Sequence, residues 1–174
     1  MQRYAMPTLA LLLCLMLLPG CNWSPAARFN NAIVRGTEKL HKAGEDFGRA
    51  VSTAINTGKD NDINKVEAAY GDAEKVLKAV REDMKGFSVP PGQAAKELHQ
   101  AALEFLDQEE RRLDQDFRAV MRVARDKQAS IAAKQKEIGE ILTRAVKIEK
   151  AHLAWLQDAQ RKFAKENDIT FKEP

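Results

Sequence analysis

Few residues of this chain have side chains that commonly carry out chemistry, and their spacing limits what that chemistry can be. The chain has two cysteines and three histidines, and two of the histidines follow a glutamate by three residues, in the pairs Glu38–His41 and Glu149–His152. On a helix this spacing puts a carboxylate and an imidazole on one face, which suits a di-metal site inside a helical bundle. At 100° per residue, however, Glu38 lies on the opposite side of its helix from the apolar face around Leu40. The two pairs therefore do not predict a shared metal site.

His152 is the histidine that follows an apolar face, because it lies between Ile148 and Trp155 at helical spacing. A histidine in such a position is expected to be a hydrogen-bonded core residue. The alternative is a haem- or metal-binding bundle centred on His152, with Met84 or Met121 as its haem partner. The sequence has no Cys-x-x-Cys-His segment, no zinc-type spacing, no phosphate-binding loop and no Ser-His-Asp pattern. We therefore predict neither a cofactor nor catalysis.

Adjacent acidic residues, Glu109 and Glu110, interrupt an otherwise apolar helix face. A buried carboxylate needs a partner, and Arg111, Arg112 or His152 can supply one. The alternative is a polar layer or a bundle end that faces solvent.

A run of basic residues surrounds a single nearby acid, Asp126. Such a run is most simply a solvated tip, but it also suits an anionic partner such as the cell-wall polymer, held by salt-sensitive contacts. The six candidate contact residues are Arg118, Arg122, Arg125, Lys127, Lys134 and Lys136.

The composition indicates an all-α protein. Ala, Lys, Glu, Gln, Arg and Leu dominate, and runs of β-branched residues are absent. The 28 Lys and Arg residues nearly balance the 25 Asp and Glu residues, which argues against a nucleic-acid partner.

The elements that must position these side chains are four long helices. Helical spacing of apolar residues predicts helices at about 25–57, 62–85, 93–127 and 130–167. Ser24 is the predicted N-cap of the first helix, and Gly58 is predicted to end it. Short turns between them imply antiparallel neighbours, hence an up-down-up-down four-helix bundle. A single helix over 93–167 is the alternative, because that stretch has no proline. We favour a turn near 125–130, where the apolar spacing is lost and Ser130 can cap a new helix.

Apolar or small residues line one face of each helix. The predicted face of the fourth helix consists of Ile131, Ile138, Leu142, Ala145, Ile148, His152, Trp155, Leu156, Ala159 and Phe163. Residues 168–174 are expected to form a short tail in which Ile169 and Phe171 fold back.

The N-terminus has the features of an export signal. Arg3 precedes an eleven-residue apolar stretch at 8–18, which is too short to span a bilayer as a helix. The stretch ends in Leu18-Pro19-Gly20-Cys21, which resembles the lipobox of bacterial lipoproteins.

This resemblance implies that residues 1–20 are removed and that Cys21 carries lipid, with 21–24 as a tether. Two or more acyl chains anchor a protein stably. Because Asn22 rather than Asp follows the cysteine, the resemblance also implies the periplasmic face of the outer membrane. The domain at 25–167 then has no cysteine and must be stable through packing alone.

Taken together, these features predict a membrane-anchored, periplasmic, non-enzymatic lipoprotein whose helical bundle is an interaction or structural module. Its predicted partners are the membrane, through the lipid on Cys21, and an envelope protein or cell-wall component. The alternatives are the haem- or metal-binding bundle and a carrier of a small apolar ligand, opening between helices near Gly139.

Overall fold

The computed structural model describes residues 24–169, which are helical throughout apart from short turns and contain no strand. The signal segment and Cys21 lie outside the described residues, as do Phe171 and the rest of the predicted tail after Ile169. The elements are α1 (Pro25–Thr57), α2 (Asp60–Lys85), α3 (Gln93–Arg112), a π-helical segment (Leu113–Phe117), α4 (Arg118–Arg125) and α5 (Ile131–Glu166). The prediction of an all-α protein with four long helical rods is confirmed; the third rod (93–125) consists of α3, the π-helical segment and α4.

The ends of the rods follow from local chemistry. Ser24 caps α1 by accepting a hydrogen bond from the Ala27 amide at 3.0 Å, and Pro25 occupies the first helical position. Gly58 ends α1 in the left-handed conformation, with φ of 62°. Ser130 caps α5 through the Ala133 amide at 3.2 Å. All three residues were predicted to end or begin helices.

The second helix begins two residues earlier than predicted. Lys59 is its N-cap residue and makes no side-chain cap hydrogen bond, while Asp60 and Asp62 lie in the first turn. Carboxylates there interact favourably with the positive end of the helix dipole. Asp62 also accepts hydrogen bonds from the Thr57 hydroxyl and the Lys65 ammonium, both at 2.7 Å, and these lower the pKa of its carboxyl.

The turn predicted near 125–130 is present, so the chain does not continue as one helix. The third rod ends at Arg125 rather than near 127, because Asp126 takes an extended conformation. The Asp126 carboxylate accepts hydrogen bonds from the amides of Gln128, at 2.8 Å, and Ala129, at 3.3 Å. An aspartate that bonds the backbone two residues ahead stabilises a turn in preference to another helical turn.

The end of α5 is closed by a backbone motif. Asp168 has a positive φ of 52°, and the Ile169 amide donates to the Ala164 carbonyl at 2.9 Å. This is the hydrogen-bond pattern of a Schellman motif, in which the following apolar residue packs back on the helix. Ile169 does pack against the core, so the predicted fold-back of this residue is confirmed.

Side-chain contacts bring distant parts of the chain together at two separate ends. At one end, the ring of Phe29 near the start of α1 lies 6.4 Å from the ring of Phe87 and 5.6 Å from that of Phe163 near the end of α5. At the other end, Lys127 forms an ion pair with Asp60 at 3.2 Å. Phe87 belongs to the loop between α2 and α3, whereas Lys127 belongs to the turn before α5.

One continuous hydrophobic core runs between the rods and draws on all four. Its largest fully buried side chains include Phe47, Leu98, Leu106 and Phe163. Among the described residues, no helix combines the length and apolarity that a membrane span requires.

The predicted apolar face is wrong at three positions of α5. Ile131 is 52% exposed, Ile148 47% and Trp155 41%. The buried face is instead rotated by about one residue, so it is centred on Ile138, Ile141, Ala145, Leu156, Gln160 and Phe163. The predicted apolar faces of the first three helices are buried or half-buried throughout.

Candidate functional site

The most unusual polar arrangement among the described residues is centred on Arg112, the last residue of α3. Its side chain is 14% exposed, and its two terminal nitrogens donate to Glu109, one turn earlier, and to Glu149 on α5. Glu109 is 4% exposed. A carboxylate, a guanidinium and a second carboxylate thus join the third and fourth rods inside the molecule. This is the predicted buried carboxylate with Arg112 as its partner; the alternative of a bundle end that faces solvent is wrong for Glu109.

An aromatic ring of the π-helical segment contacts the guanidinium, and a second ring, on α1, stacks on the first. Arg112 lies over the ring of Phe117, 5.4 Å from its centroid, and Phe117 stacks on Phe47 with ring centroids 4.0 Å apart. Gly44 on α1 adjoins the guanidinium, since a Cβ at that position would lie at an ordinary contact distance of 3.8 Å from an Arg112 terminal nitrogen. The Nε of Arg112 is buried and has no hydrogen-bond partner in the described structure. The side chain is therefore fixed by its two carboxylates and by cation–π contact.

Burial raises the pKa of Glu109 to about 7. Loss of solvation has the largest effect; the positive charge of Arg112 lowers the pKa, and the negative charge of Glu149 raises it. Near neutral pH this carboxyl therefore exchanges its proton with solvent, while the guanidinium stays charged. The cluster is able to hold or release a proton at Glu109.

His152 lies beside this cluster and not within it. It is half-buried and lines, with Glu109, Glu149 and Asp116, a cleft of about 270 Å³ between the third and fourth rods. Within residues 24–169, no group of three or more His, Cys, Asp or Glu side chains is arranged to hold a metal ion. The expectation that His152 is a hydrogen-bonded core residue is wrong, because its half-buried side chain makes no hydrogen bond in the described structure. A haem- or metal-binding role for His152 stays the alternative.

The π-helical segment begins at the residue after Arg112. Five residues, Leu113–Phe117, take the wider helix there, with Leu113 and Phe117 both buried. A π-helical turn usually marks an inserted residue and is frequent at functional sites. Here it lies between Arg112 and the Phe117 ring that contacts it.

The six basic residues singled out from the sequence are only partly brought together. Arg118, Arg122 and Arg125 line one groove of about 430 Å³ with Tyr70 and Met121. Lys127, Lys134 and Lys136 do not line it.

Most of these cations have partners that sequence proximity did not reveal. Arg118 donates to the Tyr70 hydroxyl at 2.9 Å, and Arg125 forms an ion pair with Glu67. Lys127 pairs with Asp60, and Lys134 donates to the Ala124 carbonyl at 2.9 Å. Tyr70, Glu67 and Asp60 all belong to α2. The side chains of Arg122 and Lys136 make no hydrogen bond or ion pair within the described part of the chain. Contact of the six residues with an anionic partner therefore stays a prediction.

Two other sequence candidates lie on the surface. His41 is exposed and pairs with Glu45 at 3.3 Å rather than with Glu38. The cleft beside Gly139 is lined by residues of α5 alone, so it does not open between helices.

Sequence reasoning named Glu149 only in the Glu149–His152 pair and missed it as a partner of Arg112. It lies four residues after buried Ala145 and seven before buried Leu156, which places it on the same helix face. That spacing is the pattern from which it could have been found.

Comparison of the chain with protein-family models, curated proteins and solved structures gives no match.

Proposed function

We propose that this chain is an exported, lipid-anchored helical module that acts by contact rather than by catalysis, on the periplasmic face of the outer membrane. The observation that carries the proposal is Leu18-Pro19-Gly20-Cys21 directly after an apolar stretch. Helix α1 begins at Pro25, four residues after that cysteine. The three residues between them span about 10 Å when extended. The module would therefore sit directly against the bilayer.

We further propose that the four rods run up-down-up-down and antiparallel. Helices α1 and α2 are joined by Gly58 and Lys59 alone, and the third rod and α5 by residues 126–130. Connections this short favour antiparallel neighbours. Contacts between Phe29 and Phe163 at one end, and between Lys127 and Asp60 at the other, agree with this order. The start of α1, the 86–92 loop and the end of α5 would then lie at the lipid-anchored end of the bundle.

The role as an interaction or structural module is supported by how the polar side chains are used. The Arg112 guanidinium is bonded to two carboxylates of the protein itself. Arg81 likewise connects α2 to α3 through Asp107, at 2.6 Å, and Glu110, at 2.9 Å. Such pairs fix the rods relative to one another and leave their surfaces to meet a partner.

Replacing Cys21 by alanine tests the anchor. We expect the Cys21→Ala chain to lose incorporation of labelled palmitate and to move from the membrane fraction to the soluble fraction or to remain uncleaved. Cys14→Ala is the matched control, because Cys14 lies within the apolar stretch; it should retain both label and anchoring. Separation of inner and outer membranes then locates the wild-type chain. Unchanged labelling and membrane association in Cys21→Ala would refute the proposal.

A further inference from the structure

A stripe of basic residues occupies one face of α1 near its start. Arg28, Arg35 and Lys39 are exposed and are separated by seven and four residues, so they lie along one line of the helix. Ala32 lies between them on the same line. We call Arg28, Arg35 and Lys39 the α1 basic stripe.

The three cations of the α1 basic stripe have no partner in the described structure. None of the three side chains makes a hydrogen bond or an ion pair with any residue of 24–169. By contrast, Arg81, Arg118 and Arg125 all pair with acids of neighbouring helices, which are Asp107, Glu74 and Glu67. Nor does Arg28 stabilise its own helix, because it lies about one turn from the positive end of the helix dipole. These charges are thus available to a partner outside the chain.

The stripe borders a groove between α1 and α2 of about 480 Å³. Gly36 forms its floor, where a Cβ would lie only 2.9 Å from the side chains of Val80 and Met84. The facing wall has one acid, Asp83, and the ring of Phe87. The groove therefore has a wall of three positive charges, one opposing negative charge and an otherwise small or apolar lining.

We propose that the α1 basic stripe binds the headgroups of anionic phospholipids and holds α1 along the membrane surface. This inference rests on the lipid anchor proposed above. Lys39 lies about 21 Å from Pro25 along the helix, well beyond the roughly 8 Å over which salt screens charges at physiological ionic strength. If α1 stood upright on the membrane, only Arg28 would be close enough to interact electrostatically with the headgroups. All three cations reach headgroups only when the helix lies down.

The tether makes this contact effective. Because Cys21 would keep α1 at the bilayer, the α1 basic stripe does not have to recruit the protein to the membrane. It only shifts the balance between an upright and a lying orientation of the anchored helix. Each basic residue near an anionic surface favours binding by roughly a factor of five, so three give roughly 100-fold. The lying orientation should dominate on anionic membranes and be lost at high salt.

The experiment places a reporter at the far end of the stripe. Lys42→Cys carries a fluorophore on the same face, at a residue whose ion pair with Asp46 is exposed. The full lipid-modified chain is reconstituted in vesicles of phosphatidylcholine alone or mixed with phosphatidylglycerol, each containing a lipid with a quencher on its headgroup. We expect strong quenching on the anionic vesicles, weak quenching on the neutral ones, and loss of quenching as salt is added.

Charge reversal then identifies the residues. The triple variant Arg28→Glu, Arg35→Glu, Lys39→Glu should remove the quenching while the protein stays on the vesicles. The matched control reverses three exposed cations of α2 and α5 whose side chains also lack partners in the described structure, Lys78→Glu, Lys147→Glu and Lys150→Glu, and should keep the quenching. If circular dichroism shows that the first triple variant is unfolded, the salt titration of the wild-type chain tests the proposal by itself: quenching on anionic vesicles that does not fall as salt is added overturns it.

The outcomes separate the two proposals. Quenching that is equal on neutral and anionic vesicles, or absent from both while the protein remains bound, overturns the lipid-binding stripe and leaves the anchor standing. Failure of the reconstituted chain to stay on either vesicle overturns both. If charge reversal changes co-sedimentation with isolated cell-wall polymer but not quenching, the stripe binds that polymer, and the phospholipid proposal is wrong.

Discussion

Glu109 makes the stability of the protein depend on pH near neutrality. Its pKa is raised to about 7 in the folded chain, mainly by burial, from an ordinary value of 4.5. Between those values the folded state holds a proton that the unfolded state has lost, so raising the pH favours unfolding. The contribution of Glu109 to the free energy of unfolding is complete below pH 4.5 and is lost as the pH rises through 7. It amounts to about 3 kcal/mol. We expect Glu109→Gln to flatten this decline, as measured by urea denaturation at pH 5 and pH 8.

The matched control for this prediction is Glu104→Gln. Glu104 lies on the same helix, is exposed and makes no ion pair in the described structure. The control should keep the wild-type pH dependence, because the Glu109 carboxyl is unchanged in it. If Glu109→Gln and Glu104→Gln lose stability equally between pH 5 and pH 8, Glu109 is not the titrating group.

The sequence predicted least well which individual residues contact one another in the buried polar cluster. It named Glu109 and Arg112 as a possible pair, yet it assigned Ile148 rather than Glu149 to the buried face of α5. The two are adjacent, and hydrophobicity alone favours the isoleucine. Arg112 reverses that preference, because a buried guanidinium stabilises a carboxylate beside it. A cross-helix partner is not visible in the local pattern of either helix.

At the scale of the element, Gly36 sets how closely α1 approaches α2. A methyl group at this position would lie 2.9 Å from Val80 Cγ1 and from Met84 Cε. We expect Gly36→Ala to lower the free energy of unfolding by about 1–2 kcal/mol, because overpacking outweighs the roughly 1 kcal/mol that alanine gains in helix propensity. Thermal and urea denaturation of the purified chain measure the change.

Gly48 on the same helix is the control, since no atom lies within 4 Å of a Cβ built there. Gly48→Ala should stabilise the protein by about 0.5–1 kcal/mol through helix propensity alone. Combining Gly36→Ala with Val80→Ala should recover part of the loss attributed to overpacking. If Gly36→Ala is as stabilising as Gly48→Ala, the two helices are not in the close contact described.

The π-helical segment shows why the third rod was predicted in outline but not in detail. Four buried residues of the third rod follow one another at intervals of four: Phe105, Glu109, Leu113 and Phe117. Three such steps take 12 residues, whereas three turns of α-helix take about 11. A π-helical turn absorbs the extra residue and keeps all four side chains on one face. The polar Glu109 concealed this spacing, because an apolar pattern does not count a carboxylate.

At the scale of the whole molecule, the residues that cap or interrupt helices account for most of what was predicted about where the four rods begin and end. Ser24, Gly58 and Ser130 lie where their side chains or backbone preferences end or begin a helix, and the prolines and glycine of the 86–92 loop interrupt the chain once more. These signals are local, so a single sequence contains them. The relative placement of the rods depends on contacts between distant residues, for which the sequence supplied only connection length.

The proposed up-down-up-down order is tested by distances between the ends of the rods. Spin labels are attached at Ser88→Cys and Lys165→Cys, or at Ser88→Cys and Gln128→Cys, in a chain whose native cysteines are replaced by alanine. All three sites are exposed. Ser88 and Lys165 should lie at the same end, within about 25 Å, since packed helix axes are 8–10 Å apart. Ser88 and Gln128 should be separated by about 50 Å, the length of a helix of about 33 residues. A separation from Ser88 to Lys165 near 50 Å would mean that α5 does not return along the third rod. The antiparallel arrangement, with the lipid-anchored end of the bundle that depends on it, would then be wrong.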